Sequence, residues 1–254
     1  KSENEIKLID DAIDVTKKGF EHINTILNQN MTEYDVQVEL EYIFRKNGSR
    51  FNAYPSIVAG GDNACVLHYI DNNRSLSDAD FLLIDAGAEL DYYASDITRT
   101  FRLNSNIDSL RMEAYNIVKE AQKNAIVAVK PGQTLKDIHM KALDVLIPGL
   151  KSLKLFDHSI DEILSDNLYT EFYMHGTSHW LGLDVHDSSP YSINKSEIEL
   201  KPGMIFTVEP GLYFSARSQY SDFNKSLTGT GIRIEDDILV TENGHRNMSE
   251  DIVY

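Results

Sequence analysis

The chain has 254 residues, 42% of them hydrophobic and 25% charged, a composition typical of a soluble globular protein. Its formal net charge of -16 argues against nucleic acid or an anionic membrane surface as a partner, because either requires an excess of lysine and arginine. Cys65 is the only cysteine, which excludes an intramolecular disulfide and fits a reducing compartment.

The sequence contains no targeting or membrane signal that we can identify. No stretch approaches the roughly 18 apolar residues of a membrane span, and the first residues, KSENEIKLIDD, lack the apolar run of a signal peptide. We therefore expect a cytoplasmic protein. Since the chain begins with Lys1 and not with methionine, we also expect a trimmed, mature or partial form of a longer protein.

Apolar residues spaced by three and four positions predict four helices. Thr32 and Thr134 are predicted N-caps, while Gly48, Pro131-Gly132 and Pro148-Gly149 are predicted stops. The predicted helices cover residues 3–29, 32–48, 107–129 and 134–149.

Runs rich in β-branched and aromatic residues predict strands on either side of the second helix pair. The strand-like segments are 55–61, 64–70, 80–90, 92–103, 172–187, 203–214 and 230–244. The polar stretch 215–230 is predicted to be a surface loop. The order helices, strands, helices, strands predicts two similar α+β halves that meet near residue 105 within one domain of residues 1–254.

Two aspartates lie in the strand-like sequence DAGAELDYYASDITRTF, residues 85–101. If these residues form a hairpin that turns at Leu90 and Asp91, Asp85 and Asp96 face each other across the ladder. Like charges in that arrangement repel, so a cation between them would explain it. Solvated acids on a surface strand remain the alternative, because Leu-Asp is a weak hairpin turn.

The second half concentrates further polar residues that can act in a site. His175, His179 and His186 lie within the sixteen residues FYMHGTSHWLGLDVHD, where glycines and an alternating pattern favour strands and turns over a helical zinc pair. Glu209 and Glu235 follow apolar runs, and either alone is typical of a surface acid. Four carboxylates and one imidazole would balance two divalent cations and suit manganese, iron, cobalt or zinc better than copper.

The motifs DAG, SDITRTF, HGTSHWLGLDVHD, TVEPGLY and GIRIEDD occur together in one order. In this the chain resembles the catalytic domain of the pita-bread metallopeptidases, specifically the bacterial Xaa-Pro aminopeptidase branch, over nearly its whole length. The resemblance implies the creatinase/aminopeptidase fold, an α+β arrangement of two pseudo-symmetric halves around a curved antiparallel sheet. It also implies release of the first residue from peptides with proline in second place.

The resemblance also implies roles for particular residues. The implied ligands of two divalent ions, manganese foremost with cobalt, zinc or iron as alternatives, are Asp85, Asp96, His179, Glu209 and Glu235, with Asp96 and Glu235 bridging. Glu209 is also the implied proton acceptor. The implied substrate-side residues are His68, His175, His186, Tyr213 and Arg233. Of these, His175 and His186 would stabilise the tetrahedral intermediate.

One departure from the family pattern is length, because relatives of this branch carry a further N-terminal domain that helps build a homo-oligomer. Activity and assembly of this chain depend on whether that domain is needed. A prolidase that cleaves Xaa-Pro dipeptides is the nearest alternative function. A pita-bread protein that binds without catalysis is a second alternative, although such proteins lose ligands and this chain keeps all five. Methionine aminopeptidases and creatinase-like amidinohydrolases match the motifs less well.

Overall fold

The first half of the protein packs two helices on a small antiparallel sheet. The computed structural model describes residues 1–218 and 225–252. Helices α1 (Glu3–Ile26) and α2 (Glu33–Lys46) both begin at a capping box, in which the N-cap side chain and an acidic side chain satisfy each other's backbone N–H groups. The strands of this half are β1 (Phe51–Asn52), β2 (Ile57–Gly60), β3 (Phe81–Ala86), β4 (Ala88–Leu90), β5 (Tyr93–Ala94) and β6 (Ile97–Arg102).

The second half repeats this plan with a second helix pair and a second sheet. Its helices are α3 (Ser109–Val127), α4 (Leu135–Ser152) and the short α5 (Ile160–Ser165). Its strands are β7 (Ser192–Ile193), β8 (Ser196–Glu197), β9 (Ile205–Val208), β10 (Gly211–Phe214), β11 (Thr230–Arg233), β12 (Asp236–Thr241) and β13 (Gly244–Asn247).

Each half has a three-stranded antiparallel sheet and an apolar core of its own. The sheets have the strand orders β2-β3-β6 and β13-β12-β9. One core joins α1 and α2 to the first sheet, and the other joins α3 and α4 to strands β9 to β12. This repetition confirms the two α+β halves predicted from the order of the elements.

The halves meet where β6 runs beside the junction of β11 and β12. Thr98 and Glu235 form an isolated antiparallel bridge, in which the Glu235 N–H donates to the Thr98 carbonyl at 3.0 Å. One residue pair further on, the Thr100 hydroxyl donates to the Arg233 carbonyl at 2.8 Å. These contacts place polar residues from both halves side by side in the interior.

The predicted hairpin register is wrong, because the turn lies one residue later than predicted. Strands β3 and β6 pair Asp85 with Thr98, and β4 and β5 pair Leu90 with Tyr93. The turn therefore lies at Asp91 and Tyr92, whose φ angles of +49° and +73° give the left-handed backbone that two-residue hairpins favour. Asp85 and Asp96 are diagonal neighbours, not direct partners. Because side chains alternate along a strand, a displacement of two residues keeps both on one face.

Two predicted strands are absent from the described structure. Residues 64–70 form the end of a 3-10 helix (Gly61–Cys65) followed by turns. Residues 172–187 are irregular apart from a single bridge between Trp180 and Phe206. Both segments border a cavity, and their buried residues, such as Tyr69 and Phe172, pack in the core without entering a ladder, whereas Val66, Ile70 and Leu183 are exposed.

Helix boundaries agree with the predictions to within a few residues, with one exception. Helix α4 continues through Pro148 to Ser152 instead of stopping at Pro148-Gly149. Tertiary packing explains this, because Gly149 lies so close to Ile117 of α3 that a Cβ atom there would be 2.5 Å from Cγ2. Part of the predicted loop 215–230, residues 219–224, lies outside the described residues. None of the helices within residues 1–218 and 225–252 is long and apolar enough to span a bilayer.

Candidate metal centre

Asp85 and Asp96 meet at the end of the first sheet, with a tyrosine between them. The Tyr54 hydroxyl donates to Oδ1 of Asp85 at 2.5 Å and is also hydrogen-bonded to Oδ1 of Asp96. Both carboxylates are buried, with exposed fractions of 8% and 5%. Tyr54 was not predicted from the sequence, since neither charge nor spacing distinguishes it from the other tyrosines.

The second oxygen of Asp85 is bound by an arginine from the other half. Arg233 Nη2 donates to Asp85 Oδ2 at 2.6 Å, and its Nη1 donates to the Tyr213 hydroxyl at 2.8 Å. That hydroxyl lies 2.8 Å from His175 Nε2. Because arginine only donates, the Tyr213 oxygen accepts from it and its own proton is directed to His175. The Nδ1–H of His175 then donates to the Gly176 carbonyl at 2.8 Å.

His179 is held by the second sheet and faces three carboxylates. Its backbone N–H donates to the Thr207 hydroxyl at 3.2 Å. Its Nε2 atom lies 3.2 Å from Asp96 Oδ2, 3.5 Å from Glu209 Oε1 and 4.0 Å from Glu235 Oε1. His179 therefore differs from the other two histidines of residues 172–187, because its Nε2 atom lies within 4.0 Å of three carboxylates.

Glu235 is fixed by side chains of the SDITRTF segment. Its side chain is 1% exposed, and Oε2 accepts a hydrogen bond of 2.6 Å from the Thr98 hydroxyl. Arg99 donates to its backbone carbonyl at 2.5 Å and pairs with the neighbouring Asp236 at 2.6 Å. Glu235 is therefore an interior residue, and the Glu209 side chain is only 15% exposed, contrary to the expectation that each alone is a surface acid.

These residues line a cavity of about 710 Å³. Its floor carries the five acidic and imidazole donors predicted from the sequence. His68 and His186 are exposed at its sides, and the His186 ring centroid lies 4.2 Å from that of His179. Arg233 and His175 also line the cavity. Tyr213 does not line it but is hydrogen-bonded to both of them.

Burial of so many carboxylates disturbs their protonation. Burial raises the pKa of Glu209 to about 7 although His179 opposes the shift, and burial together with Asp96 raises the pKa of Glu235 well above its usual value. Burial also raises the pKa of Asp85, against the effect of Arg233. Burial alone would lower the pKa of His179, but its hydrogen bond to Asp96 prevails and raises it to about 9.

This electrostatic conflict is what a divalent cation relieves. Ligand atoms of Asp96, His179 and Glu235 all lie within 4.8 Å of one another, so one ion can contact all three. The donors are oxygens and one imidazole nitrogen, which suit divalent manganese, iron, cobalt or zinc. The residues present therefore fit a divalent-metal centre.

The sequence model of metallopeptidase family M24 matches residues 7–242. The chain belongs to this family. Among curated family members, it is 42% identical to the Xaa-Pro aminopeptidase of Haemophilus influenzae over 98% of the chain and 57% of that protein. It is 38% identical to the Xaa-Pro aminopeptidase of Escherichia coli over 100% of the chain and 56% of that protein.

Solved structures of family members show the same fold. The chain superposes on aminopeptidase PepP of Pseudomonas aeruginosa with a TM-score of 0.95 and 40% identity, covering 99% of this chain and 57% of that one. For zinc-substituted E. coli aminopeptidase P in complex with product, the TM-score is 0.94 at 37% identity, over 100% of this chain and 57% of that one. The predicted α+β pita-bread fold is confirmed, and the chain spans a little more than half the length of these M24 relatives.

Proposed function

We propose that residues 1–254 form the single catalytic domain of an Xaa-Pro aminopeptidase, which hydrolyses the first peptide bond of peptides with proline in second place. The observation that carries the proposal is the convergence of four carboxylates and one imidazole from both halves at the floor of a cavity of about 710 Å³. Similarity over the whole chain to proteins named Xaa-Pro aminopeptidase supports the choice of substrate.

The proposed centre holds two divalent ions, with manganese first and cobalt, zinc or iron as alternatives. The proposed ligands are Asp85, Asp96, His179, Glu209 and Glu235, and the charges of four carboxylates balance two such ions. When bound, a pair of divalent ions lowers the pKa of water and polarises the peptide carbonyl.

Glu209 is the proposed proton acceptor of the reaction. Burial raises its pKa to about 7 in the metal-free protein, and bound divalent ions would lower it again, so the proposed role rests on the position of Glu209 in the cavity lining beside the other proposed ligands. Its Oε2 atom lies 3.6 Å from His175 Nδ1, and its backbone N–H donates to the Thr177 carbonyl at 2.8 Å, so the side chain is held toward the cavity.

The two substrate-side histidines are proposed to act differently. His175 is oriented by Tyr213, and its Nδ1–H is already used by the Gly176 carbonyl. His186 is exposed in the cavity beside His179, so its ring is available to donate to the oxygen that becomes negative as the carbonyl turns tetrahedral. His68 is exposed and lines the same cavity.

A panel of three peptides separates the proposed activity from its alternatives. Fully metallated protein is incubated with Arg-Pro-Pro, Ala-Pro and Met-Ala-Ser, and the products are identified by mass spectrometry. Best cleavage of Arg-Pro-Pro, with release of free arginine, is expected. Best cleavage of the dipeptide would favour a prolidase, and cleavage of Met-Ala-Ser alone would refute proline specificity.

The Glu209→Gln variant is the matched control, because it keeps the shape of the side chain and removes the proton acceptor. If the metallated chain cleaves nothing, either the N-terminal domain of the longer family members is required for activity or the chain has a binding role, and adding that domain decides which. The five intact donor positions speak against that role. We further propose a cytoplasmic protein that forms homo-oligomers in its longer form; the single cysteine and the family resemblance support this.

A further inference from the structure

Glu33 is a completely buried carboxylate far from the metal centre in sequence. It is the first residue of α2, its exposed fraction is 0%, and none of the ion pairs among the described residues includes it. A buried charge without a counter-ion is costly unless several donors solvate it. The start of a helix supplies part of that stabilisation.

The remaining stabilisation comes from hydrogen bonds to one segment, residues 60–74. Glu33 Oε1 accepts from the Gly60 N–H at 2.7 Å and from Asn63 Nδ2 at 3.0 Å. Its Oε2 accepts from the Tyr69 hydroxyl and from the Arg74 N–H, both at 2.8 Å. One carboxylate thus binds the beginning, the middle and the end of this segment.

The same segment supplies one wall of the proposed active-site cavity. The Tyr69 N–H donates to the Val66 carbonyl at 3.2 Å, which closes a turn with Leu67 and His68 at its centre. Leu67, His68 and Ile70 all line the cavity. Tyr69 points the other way, is 9% exposed and ends at Glu33.

We propose that Glu33 is a positioning residue. Its hydrogen bonds to Asn63 and Tyr69, on either side of the His68 turn, fix His68 in the cavity wall. The inference rests on the proposed function, in which His68 faces the substrate. Glu33 itself touches neither the cavity nor any of the five proposed metal ligands, so its effect on the reaction passes through the turn.

A double-mutant cycle tests whether the effect passes through His68. Glu33→Gln keeps the volume but replaces one acceptor oxygen by an NH₂ group that faces a backbone N–H, of Gly60 or of Arg74, which cannot accept from it, and Tyr69→Phe removes a single hydroxyl in case the first variant folds poorly. With His68 present, kcat/KM should fall about 10-fold for Glu33→Gln and about 3-fold for Tyr69→Phe, since small displacements at a reacting centre are costly. In the His68→Ala background, each should fall less than about 2-fold.

Metal content should stay unchanged in every variant. Glu39→Gln, the same change on the same helix beside His22, is the control and should leave kcat/KM unchanged. Glu33→Gln should also change the same kinetic parameter, kcat or KM, that His68→Ala changes. Equal losses with and without His68 would overturn the proposal, because they indicate a general effect on the fold.

Hydrogen exchange of backbone amides provides a readout that does not depend on activity. Glu33→Gln should accelerate exchange in residues 60–74 and leave the rest of the chain unchanged. Unchanged exchange there would overturn the proposal whatever the peptides show. If metallated wild-type protein cleaves no peptide, the proposed function alone fails, and the exchange result still decides whether Glu33 holds this segment.

Discussion

Replacing Glu235 by glutamine should have opposite effects on the metal-free and the metal-bound protein. The change is nearly isosteric, and the amide oxygen can still accept the 2.6 Å hydrogen bond from Thr98. The substitution removes a buried carboxyl group, whose pKa is raised well above 4.5 by burial and by Asp96. The substitution therefore tests charge with little change in shape.

The size of the effect follows from proton linkage. A carboxyl with a raised pKa in the folded state holds its proton more firmly there, so stability is greatest below pH 4.5 and falls as the pH rises through the folded pKa. Metal-free Glu235→Gln protein should thus be more stable than metal-free wild type at pH 8, by roughly 1–3 kcal/mol, the typical cost of an uncompensated buried polar group, and nearly equal to it at pH 4.

In the presence of metal the sign reverses. Loss of a bridging negative charge should weaken metal binding more than roughly 100-fold, since even the outer partners of metal ligands are worth 10- to 100-fold. Denaturant unfolding with chelator at several pH values and metal analysis of the purified protein measure the two effects. The control is Glu242→Gln, at an exposed residue that directly follows strand β12 as Glu235 directly precedes it. Lower stability of the metal-free variant at pH 8, or wild-type metal affinity, would refute the reasoning.

Three further outcomes are expected. Chelation should abolish peptide cleavage and manganese or cobalt should restore it; full activity of protein without detectable metal would contradict the proposed centre. His186→Ala should lower kcat roughly 100-fold with metal content unchanged, the value of one oxyanion donor, whereas loss of metal would identify this histidine as a ligand. Hydrogen bonds from the Ser2 backbone and side chain lower the pKa of Glu5 from 4.5 to about 2. The contribution of this carboxylate to folding stability is therefore present above pH 4.5 and is lost as the pH falls toward 2. The stability difference between wild type and Glu5→Gln, about 1 kcal/mol or less for this exposed cap, should therefore shrink in acid, and a difference that grows there would disprove the assignment.

The sequence contains enough information to predict the elements whose stability is local. Helices α1, α2 and α4 begin at Ser2, Thr32 and Thr134, which form capping boxes with an acid three residues later. The end of α4 was not predictable in the same way. Pro148 and Gly149 are stop signals in sequence, but the close contact of Gly149 with Ile117 depends on how two helices pack.

The five proposed ligands follow from the family resemblance of the motifs that contain them, because residue patterns alone left Glu209 and Glu235 as typical surface acids and did not distinguish His179 from its neighbouring histidines. Their supporting residues carry no such signal. Tyr54 and Thr98 belong to residue types that occur throughout the chain, as does Glu33 behind the His68 turn, and their roles appear only when distant segments are brought together. The strand predicted at residues 64–70 is wrong for the same reason, because the roles of its side chains depend on distant segments. Tyr69 packs toward the core and Leu67 and Ile70 line the cavity, without forming a ladder.

The bridge between Thr98 and Glu235 has a consequence for when the protein acquires its metal. In chain order the proposed donors begin with Asp85 and Asp96, and Glu235 is the last of them. A chain emerging from the ribosome therefore exposes the first aspartates long before their partners exist, and the first half can fold by itself only around an incomplete site. High-affinity ion capture must wait until the second half has been synthesised and has docked against β6. Metal loading of this protein is thus expected to be post-translational.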